Sequence, residues 1–465
     1  MMNDTKGRGL LVFVLTILFL APLIHTGVFK GGNDASRFAQ MESLVDYGHT
    51  YIDESIYSGT IDRVRIGDKV YSNKPPVLSI IGAGAYYLLK KTGGITFAGN
   101  EAVVVYLLVM ILVVIPTAWL VSLFYSSLEQ YRDLSSRSKY LATLAVAAGT
   151  ILTSFSVTLN NHTVAAALLF AAFLSAGRGK AVQTGVWSAL AACIDIVPGL
   201  LFIPYLAYRL YSLSGRRALA KYSLLLSAGA AVFIASNIWI VGHPLPPKLV
   251  PGAIDFSSAF GPSAAGVLLP DSWTYPLECL FGWHGFFTVS PVLIFGVLGL
   301  GKALKSAAPL SERSYLLLAV TLVVMIAGHI LFVGSYGGWS YGFRYLIPII
   351  PVLLFFAPVM IEKHAGIFTG ILALSILSAL LGTYNPWPPG YSQELQKDPV
   401  SSLVKNPAGA NAAAWLEKNF PGSALTGRMK TSVIGPSERP QVQYLMLFYL
   451  SKNDRDMAKK MRRLL

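Results

Sequence analysis

Eleven apolar runs, each long enough or nearly long enough to cross a bilayer as a helix, constrain this chain more than any other feature. A helix rises about 1.5 Å per residue, so roughly 20 apolar residues span the hydrocarbon core. Helices also satisfy the backbone polar groups inside lipid. The runs therefore predict an all-α polytopic membrane protein with about 11 transmembrane helices. They lie at about 10–29, 102–124, 139–158, 162–177, 183–196, 197–212, 221–241, 285–303, 314–333, 345–361 and 365–383.

The double run at 183–212 allows two interpretations. It predicts either two short helices or one long helix broken near Asp195 and Pro198, because proline interrupts helical hydrogen bonding.

The composition favours the same class of protein. Hydrophobic residues make up 54% of the chain and charged residues 13%, with a mean hydropathy of +0.56, which is outside the soluble globular range. The net charge is +14, but the basic residues lie in short loops between apolar runs, so no nucleic-acid partner is predicted. Cys193 lies in an apolar run and Cys279 in a polar loop, which disfavours a disulfide framework or a Cys-based metal site.

The orientation depends on the short run 77–89, whose 13 residues cover only about 20 Å as a helix. If this run is interfacial or re-entrant, thirteen later basic residues fall in inner loops and only two in outer loops. A crossing run would invert that bias, so the positive-inside rule favours the interfacial placement. The inner residues are Arg132, Arg137, Lys139, Arg178, Lys180, Arg209, Arg216, Arg217, Lys221, Lys302, Lys305, Arg313 and Lys363, and the outer ones are Lys248 and Arg344.

With this orientation, the chain is predicted to be a plasma (inner) membrane protein with two parts. Residues 1–383 form the transmembrane domain, which starts with an uncleaved signal anchor and a cytoplasmic N-terminus. Its first outer loop, 30–101, carries juxtamembrane helices. Residues 384–465 form a small extracytoplasmic tail with one helical pattern near Asn411–Asn419.

The stretch NDASRFAQMESLVDYG, residues 33–48, predicts a short amphipathic helix in the first outer loop. Asp34 suits the start of this helix, an apolar face follows, and Gly48 ends it. One interpretation makes Asp34 an N-cap and Arg37 a snorkelling interface residue. The other makes Asp34 a general base beside an anion site at the membrane surface.

The stretch SNKPP, residues 72–76, places Lys74 at the rigid start of the 77–89 run. Lys74 is then either an ordinary interface anchor or, together with Arg37, a phosphate ligand. Arginine offers a bidentate fork and lysine a point charge, which suits both to phosphate oxygens.

These two stretches resemble the GT-C class of membrane glycosyltransferases. An Asp-x-x-Arg after the first helix and a Lys-Pro-Pro about forty residues later are similar to lipid A aminoarabinose transferases and, more distantly, to protein O-mannosyltransferases. The likeness is specific over about residues 10–130 and looser over 282–300 and 337–354. It implies a polyprenyl-phosphate-sugar donor used at the outer face, with a lipid, glycan or protein as the acceptor.

The resemblance also implies roles for single residues. Asp34 would be the catalytic aspartate, and Arg37 and Lys74 would hold the donor phosphate. Ala35 and Asn73 stand where relatives often have glutamate, so the aminosugar specificity does not carry over. One base and two cations suffice for a direct, inverting displacement, and the donor already carries its leaving group, so no further cofactor is predicted.

Other polar residues on the outer side are candidate substrate contacts. Arg344, after the Gly-rich loop 334–344, is either an interface anchor or a second phosphate contact, and Tyr341 of the same loop is a candidate substrate contact. The remaining candidates are Asn73, Asn161, His162 and Asp195. Asn161 and His162 also suit plain turn and cap chemistry, and Asp195 also suits a helix break. No carboxylate stands at ligand spacing from a histidine, so no metal site is predicted.

Two other classes of multi-spanning protein compete with a glycosyltransferase. A lipid or glycan transporter or flippase would be expected to show inverted repeats with interrupted helix pairs, and no internal symmetry is evident. An oligosaccharide polymerase or ligase would be expected to carry its main polar loop late in the chain, whereas here it is early.

Overall fold

The computed structural model of the protein describes residues 2–26, 32–131, 133–256, 274–282, 284–306, 309–333, 340–387 and 407–420, most of which are helical. In the N-terminal half the α-helices are α1 (Met2–Leu20), α2 (Asn33–Glu42), α3 (Val77–Gly93), α4 (Phe97–Val109), α5 (Ile115–Ser127), α6 (Ser136–Ala148), α7 (Ile151–Phe155), α8 (Asn161–Gly177), α9 (Ala181–Ile194), α10 (Ile196–Leu201) and α11 (Ile203–Val241). They are followed by α12 (Thr274–Phe281), α13 (Phe286–Val289), α14 (Leu293–Ser306), α15 (Pro309–Val333), α16 (Ile350–Leu354), α17 (Pro358–Tyr384) and α18 (Pro407–Asn419).

Short segments of other types complete the described chain. The strands are β1 (Arg63–Ile66), β2 (Lys69–Ser72) and β3 (Ile254–Asp255). The 3-10 segments are Ala21–Leu23, Leu128–Gln130, Pro247–Leu249 and Arg344–Ile349, and the π-helical segments are Ser43–Tyr47 and Met110–Val114.

Within the described residues, four helical stretches are long and apolar enough to cross a membrane. A fifth is added if the bent pair Tyr275–Val289 and Leu293–Ser306 counts as one span. Shorter apolar helices cover four further predicted runs, and the predicted total of about 11 spans stays a prediction. The four long stretches are Phe97–Ser127, Ile196–Val241, Arg313–Leu331 and Pro358–Tyr384.

The run 183–212 contains a helix break at Asp195, whose backbone is extended between α9 and α10. Gly199 then lies against the α9 backbone, where an added Cβ would come within 2.3 Å of the Cα of Ala192. A second turn at Gly215, with φ of 72°, divides α11 and lets its longer half return along α9. The packing of α10 and α11 on α9 therefore holds Asp195, at the end of α9, in the core.

The predicted first outer loop is built around α2, which is buried on every side rather than on one apolar face as predicted. Gly32 is the N-cap and Asp34 lies inside the first turn, so the prediction that Asp34 caps the helix is wrong. Gly48, in the left-handed conformation, ends the following π segment as predicted. On another side of α2, Met41 packs into the space left by Gly82 of α3.

A small antiparallel sheet, which the sequence does not predict, covers this loop. β1 pairs with β2 through a turn at Gly67, and on its other edge Val64 and Arg65 pair with β3. Since β3 belongs to the predicted outer loop 242–283, the sheet joins two loops that are nearly 200 residues apart in the sequence. The rest of that loop, 257–273, lies outside the described residues.

The predicted tail helix is confirmed as α18, which packs on the end of α17. Asn411 fixes the contact, because its Nδ2 donates to the carbonyl oxygens of Leu381 and Asn385 at 2.7 and 3.0 Å. The basic end of the tail lies outside the described residues.

Candidate functional site

Arg37 is buried in the middle of the first outer loop, with 1% of its surface exposed, so it is not a snorkelling residue. Its Nε donates to Oδ1 of Asn33 at 3.2 Å, one helical turn earlier on α2. Its Nη2 donates to Oδ1 of Asn161 at 3.0 Å, and its Nη1 lies 3.5 Å from the carbonyl oxygen of Pro75. All three acceptors are neutral, so these hydrogen bonds orient the guanidinium without pairing it with a carboxylate.

Arg344 brings a second guanidinium to this region from the start of the 3-10 segment that leads into α16. It is 8% exposed, which excludes a plain interface anchor, and its charged end lies 4.8 Å above the Trp387 ring and 5.3 Å from the Tyr345 ring. Aromatic faces stabilise a cation without neutralising it. The Nε atom of Arg344 is buried and has no hydrogen-bond partner within the described residues.

The two guanidiniums form what we call the arginine pair, Arg37 and Arg344. No carboxylate oxygen of the described chain lies within ion-pair distance of either of them. Burial lowers the pKa of Arg37 to about 10; Asp195 and Asp62 oppose that shift, and the charge of Arg344 adds to it. A buried charge without a partner is strongly unfavourable, so this geometry suits the binding of an anion.

Lys74, by contrast, is already neutralised. Its Nζ lies 2.8 Å from Oδ2 of Asp62, and both side chains are mostly buried. Burial lowers the pKa of Lys74 to about 8, although the Asp62 carboxylate works against that shift. For Asp62, burial alone would raise the pKa, but Lys74 and Lys248 outweigh it, and the net shift is downward.

A second ion pair continues this arrangement into the sheet. The Nζ of Lys248 lies 3.1 Å from Oδ2 of Asp255 on β3, and Oδ1 of Asp255 accepts a hydrogen bond from Nδ2 of Asn73 at 3.1 Å. Asn73 also lies 3.5 Å from Oδ1 of Asp62. We call these five residues, Asp62, Asn73, Lys74, Lys248 and Asp255, the paired cluster.

His162 and Asp195 lie on the other side of Arg37. The cap of α8 is Asn160, whose Oδ1 accepts from the backbone of Thr163, so Asn161 and His162 are not needed as caps. The Nδ1 of His162 lies 2.6 Å from Oδ2 of Asp195, at the helix break, and 3.4 Å from Nδ2 of Asn161. Both Arg37 and Arg344 act electrostatically on His162, which joins this dyad to the arginine pair.

Asp34 lies three residues before Arg37 on α2, with 4% of its surface exposed. Its Oδ1 accepts a hydrogen bond from the backbone N–H of Ala35 at 2.8 Å, and its charge helps raise the pKa of Tyr57, for which burial is the largest cause. The structure therefore places Asp34 in the buried part of the loop, on the same helix as Arg37. Its role as a base stays a prediction.

Tyr341 is fully buried and contacts α17. Its hydroxyl donates to the carbonyl oxygen of Ser378 at 2.7 Å, and its ring lies where a Cβ on Gly382 would be. This anchors the chain three residues before Arg344. The part of the Gly-rich loop at 334–339 lies outside the described residues.

Several residues of the site carry no signal in the sequence that would assign them to it. Asp62 is one of many acids in the first outer loop, and only the structure pairs it with Lys74. Trp387, under Arg344, comes from the start of the tail, and its Nε1 donates to Oγ1 of Thr158 at 3.0 Å. The contacts of Trp387 join positions far apart in the sequence, which local patterns do not encode.

The arrangement supports anion binding and proton transfer from protein groups. Within the described residues, no three His, Cys, Asp or Glu side chains are grouped as metal ligands would be. A comparison of the chain with family models finds no match, and neither does a comparison with curated proteins.

Proposed function

We propose that this protein transfers a monosaccharide from a polyprenyl-phosphate-sugar donor to a lipid, glycan or protein acceptor at the outer face of the plasma (inner) membrane. The observation that carries the proposal is the arginine pair, in which two buried guanidiniums lack a carboxylate partner in the described chain. Two guanidinium forks provide paired N–H donors for the oxygens of one phosphate.

A lipid as the carrier of that phosphate follows from the surroundings of the pair. Arg344 begins the short 3-10 segment that leads into the apolar helix α16, and Pro75, which contacts Arg37, lies just before α3. A phosphate held between these points has apolar helices next to it, and its chain can stay in the bilayer. In the topology we propose, the N-terminus is cytoplasmic, the site and the tail are outside, and the shorter apolar helices complete about 11 spans.

The proposed reaction is a direct displacement with inversion. The acceptor oxygen attacks the anomeric carbon while the bond from that carbon to the phosphate oxygen breaks. Asp34 takes the acceptor proton as general base, and polyprenyl phosphate leaves with the bonding electrons. The arginine pair stabilises the negative charge that develops on the departing phosphate, which is the largest contribution expected from the protein.

The test uses the purified full-length chain in lipid nanodiscs with a radiolabelled polyprenyl-phosphate sugar and a membrane lipid extract as the acceptor source. We expect labelled product and free polyprenyl phosphate from the wild type, with little of either from Arg37→Gln and Asp34→Asn. Arg65→Gln, at an exposed position on β1, is the matched control for loss of one positive charge and should retain activity.

Three results would overturn the proposal in different ways. If Arg37→Gln transfers sugar at the wild-type rate, the arginine pair is not part of the site. Transfer by Asp34→Asn at the wild-type rate removes the proposed base. Movement of the labelled lipid between the leaflets without any product would replace the transferase with a transporter or flippase.

A further inference from the structure

His162 has a feature that the proposed reaction leaves unused. Its Nδ1 is occupied by Asp195, and its Nε2 has no hydrogen-bond partner within the described residues. A carboxylate that accepts the Nδ1–H fixes the tautomer in which the other ring nitrogen is the proton acceptor. His162 is therefore arranged to gain a proton at Nε2.

The charges that face His162 come from four other parts of the molecule. Asp195, at the helix break, favours the imidazolium. Burial of the ring opposes it most, and Arg344 of the 3-10 segment and Arg37 on α2 add to that opposition. His329 of α15 is stacked on Tyr345, which in turn packs edge-on against the His162 ring at 5.2 Å.

We propose that His162 is a third, proton-coupled contact to the anion of this site. An oxyanion that enters beside Arg37 and Arg344 cancels their repulsion. Its negative charge, together with that of Asp195, offsets the burial that disfavours the charged ring, so Nε2 takes a proton from solvent. The resulting imidazolium, held by Asp195, donates a hydrogen bond to the oxyanion. The proton returns to solvent when the oxyanion leaves, and no bond other than N–H is made or broken.

This inference rests on the proposed function, because it takes the arginine pair as the anion site. It adds that the site prefers one ionisation state of the bound phosphate over another. A phosphate monoester dianion, which is the product form, gains more from the imidazolium than the phosphodiester monoanion of the donor, since the interaction grows with charge. His162 then favours the transition state, in which charge moves onto the departing phosphate.

The test follows the ring nitrogens of the full-length protein, labelled with ¹⁵N-histidine, while sodium sulfate is added at constant ionic strength and pH 7.5. Sulfate is an oxyanion that exchanges no proton near neutral pH, so any proton gained belongs to the protein. We expect the Nε2 resonance of one histidine to move from the acceptor position to the protonated position. About one proton should be taken up per sulfate bound, as measured by calorimetry in two buffers of different ionisation enthalpy.

Two substitutions assign the signal. His162→Gln should abolish the shift and the proton uptake but keep sulfate binding at a lower affinity. His329→Gln, in the same aromatic cluster, should keep both the shift and the uptake. Uptake that survives in His162→Gln overturns the inference, and so does a wild-type imidazole that stays neutral at saturating sulfate. Asp195→Asn should reduce the uptake without removing sulfate binding, which marks Asp195 as a positioning residue.

The outcomes also separate this inference from the proposed function. If Arg37→Gln loses sulfate binding but the wild type shows no proton uptake, the anion site stands and the role of His162 fails. If sulfate does not bind, or binds equally to Arg37→Gln, the anion site fails and the inference fails with it. Competition between dodecyl phosphate and inorganic phosphate then identifies the source, because tighter binding of the dodecyl ester assigns the oxyanion to a lipid.

Discussion

The arginine pair and the paired cluster are neighbouring groups whose cations differ in their partners. Lys74 has a carboxylate at 2.8 Å and Lys248 has one at 3.1 Å. Arg37 bonds only to neutral oxygens, and Arg344 lies on aromatic rings. Both groups contain positively charged side chains.

The partner of a buried cation, rather than its residue type, separates a ligand site from a structural ion pair. A buried ion pair is self-sufficient and holds its loops together, whereas breaking it leaves an uncompensated charge. A buried guanidinium without a carboxylate partner is a source of instability that an incoming anion relieves. Substitutions in the two groups should therefore affect different quantities, and four experiments test that division.

The largest effect is expected for Arg344→Gln. Loss of one preorganised charge from the transition state should reduce the transfer rate by about 10²- to 10³-fold. The thermal midpoint of unfolding should stay the same or rise, because the substitution removes a buried charge that has no carboxylate partner within the described residues. Transfer rate and thermal unfolding are measured on the same preparation, and a large drop in stability would contradict the assignment.

The second experiment breaks the paired cluster with Asp62→Asn. Lys74 then loses its counter-ion in a buried position, and removing one partner of such a pair typically destabilises by about 3–5 kcal/mol. We expect a lower free energy of unfolding at pH 7, measured in denaturant in mild detergent. The double variant Asp62→Asn/Lys74→Met should recover much of this loss, and no recovery would contradict the ion-pair explanation.

The lowered pKa of Asp62 makes the contribution of this ion pair to stability depend on pH. Because it is lower in the folded than in the unfolded protein, the contribution is present above the unfolded value and is lost as the pH falls through the folded one. In Asp62→Asn, the acid-induced loss of stability should therefore become smaller.

The sequence predicts much of the helical framework and the main polar positions. The apolar runs give helices, Gly48 ends the loop helix, and the chain breaks at Asp195 because a proline and a glycine follow within four residues. The positive-inside argument predicts that several polar positions lie on one outer face, and this orientation stays a prediction. The structure brings Arg37, Lys74, Arg344, Asn73, Asn161, His162 and Asp195 into one region.

What the sequence does not predict is long-range pairing. The sheet joins Val64 and Arg65 to strand β3 of only two residues, which carries too little alternation to identify. The sequence also does not show which partner a cation has, because Asp62 is one of several acids in the same loop as Lys74 and Trp387 reaches Arg344 from the start of the tail. Whether a buried charge stabilises or destabilises the fold depends on its partner. Local sequence patterns therefore do not distinguish the arginine pair from the paired cluster.

The third experiment compares the two groups by pH. Lys74, with a pKa of about 8, should lose its proton well before Arg37, with a pKa of about 10. If Lys74 contributes to anion binding, affinity for sulfate should fall above about pH 8. In Lys74→Arg the fall in affinity should move to higher pH, towards the pKa of Arg37 at about 10. In His162→Gln the fall should stay where it is in the wild type. A fall near pH 8 that is unchanged in Lys74→Arg would exclude Lys74 from the anion site.

The smallest effect is expected for Asp255→Asn, at the outer end of the paired cluster. Lys248 and Asp255 are more exposed than Lys74, and an ion pair near the surface contributes about 1 kcal/mol or less. The substituted amide would keep an oxygen for the hydrogen bond from Asn73, so the sheet contact should survive. We therefore expect a small loss of stability that shrinks in high salt, and an unchanged transfer rate, measured by the same assays. A loss as large as that of Asp62→Asn would mean that both ion pairs act as one buried unit, and a lost transfer rate would place β3 in the site.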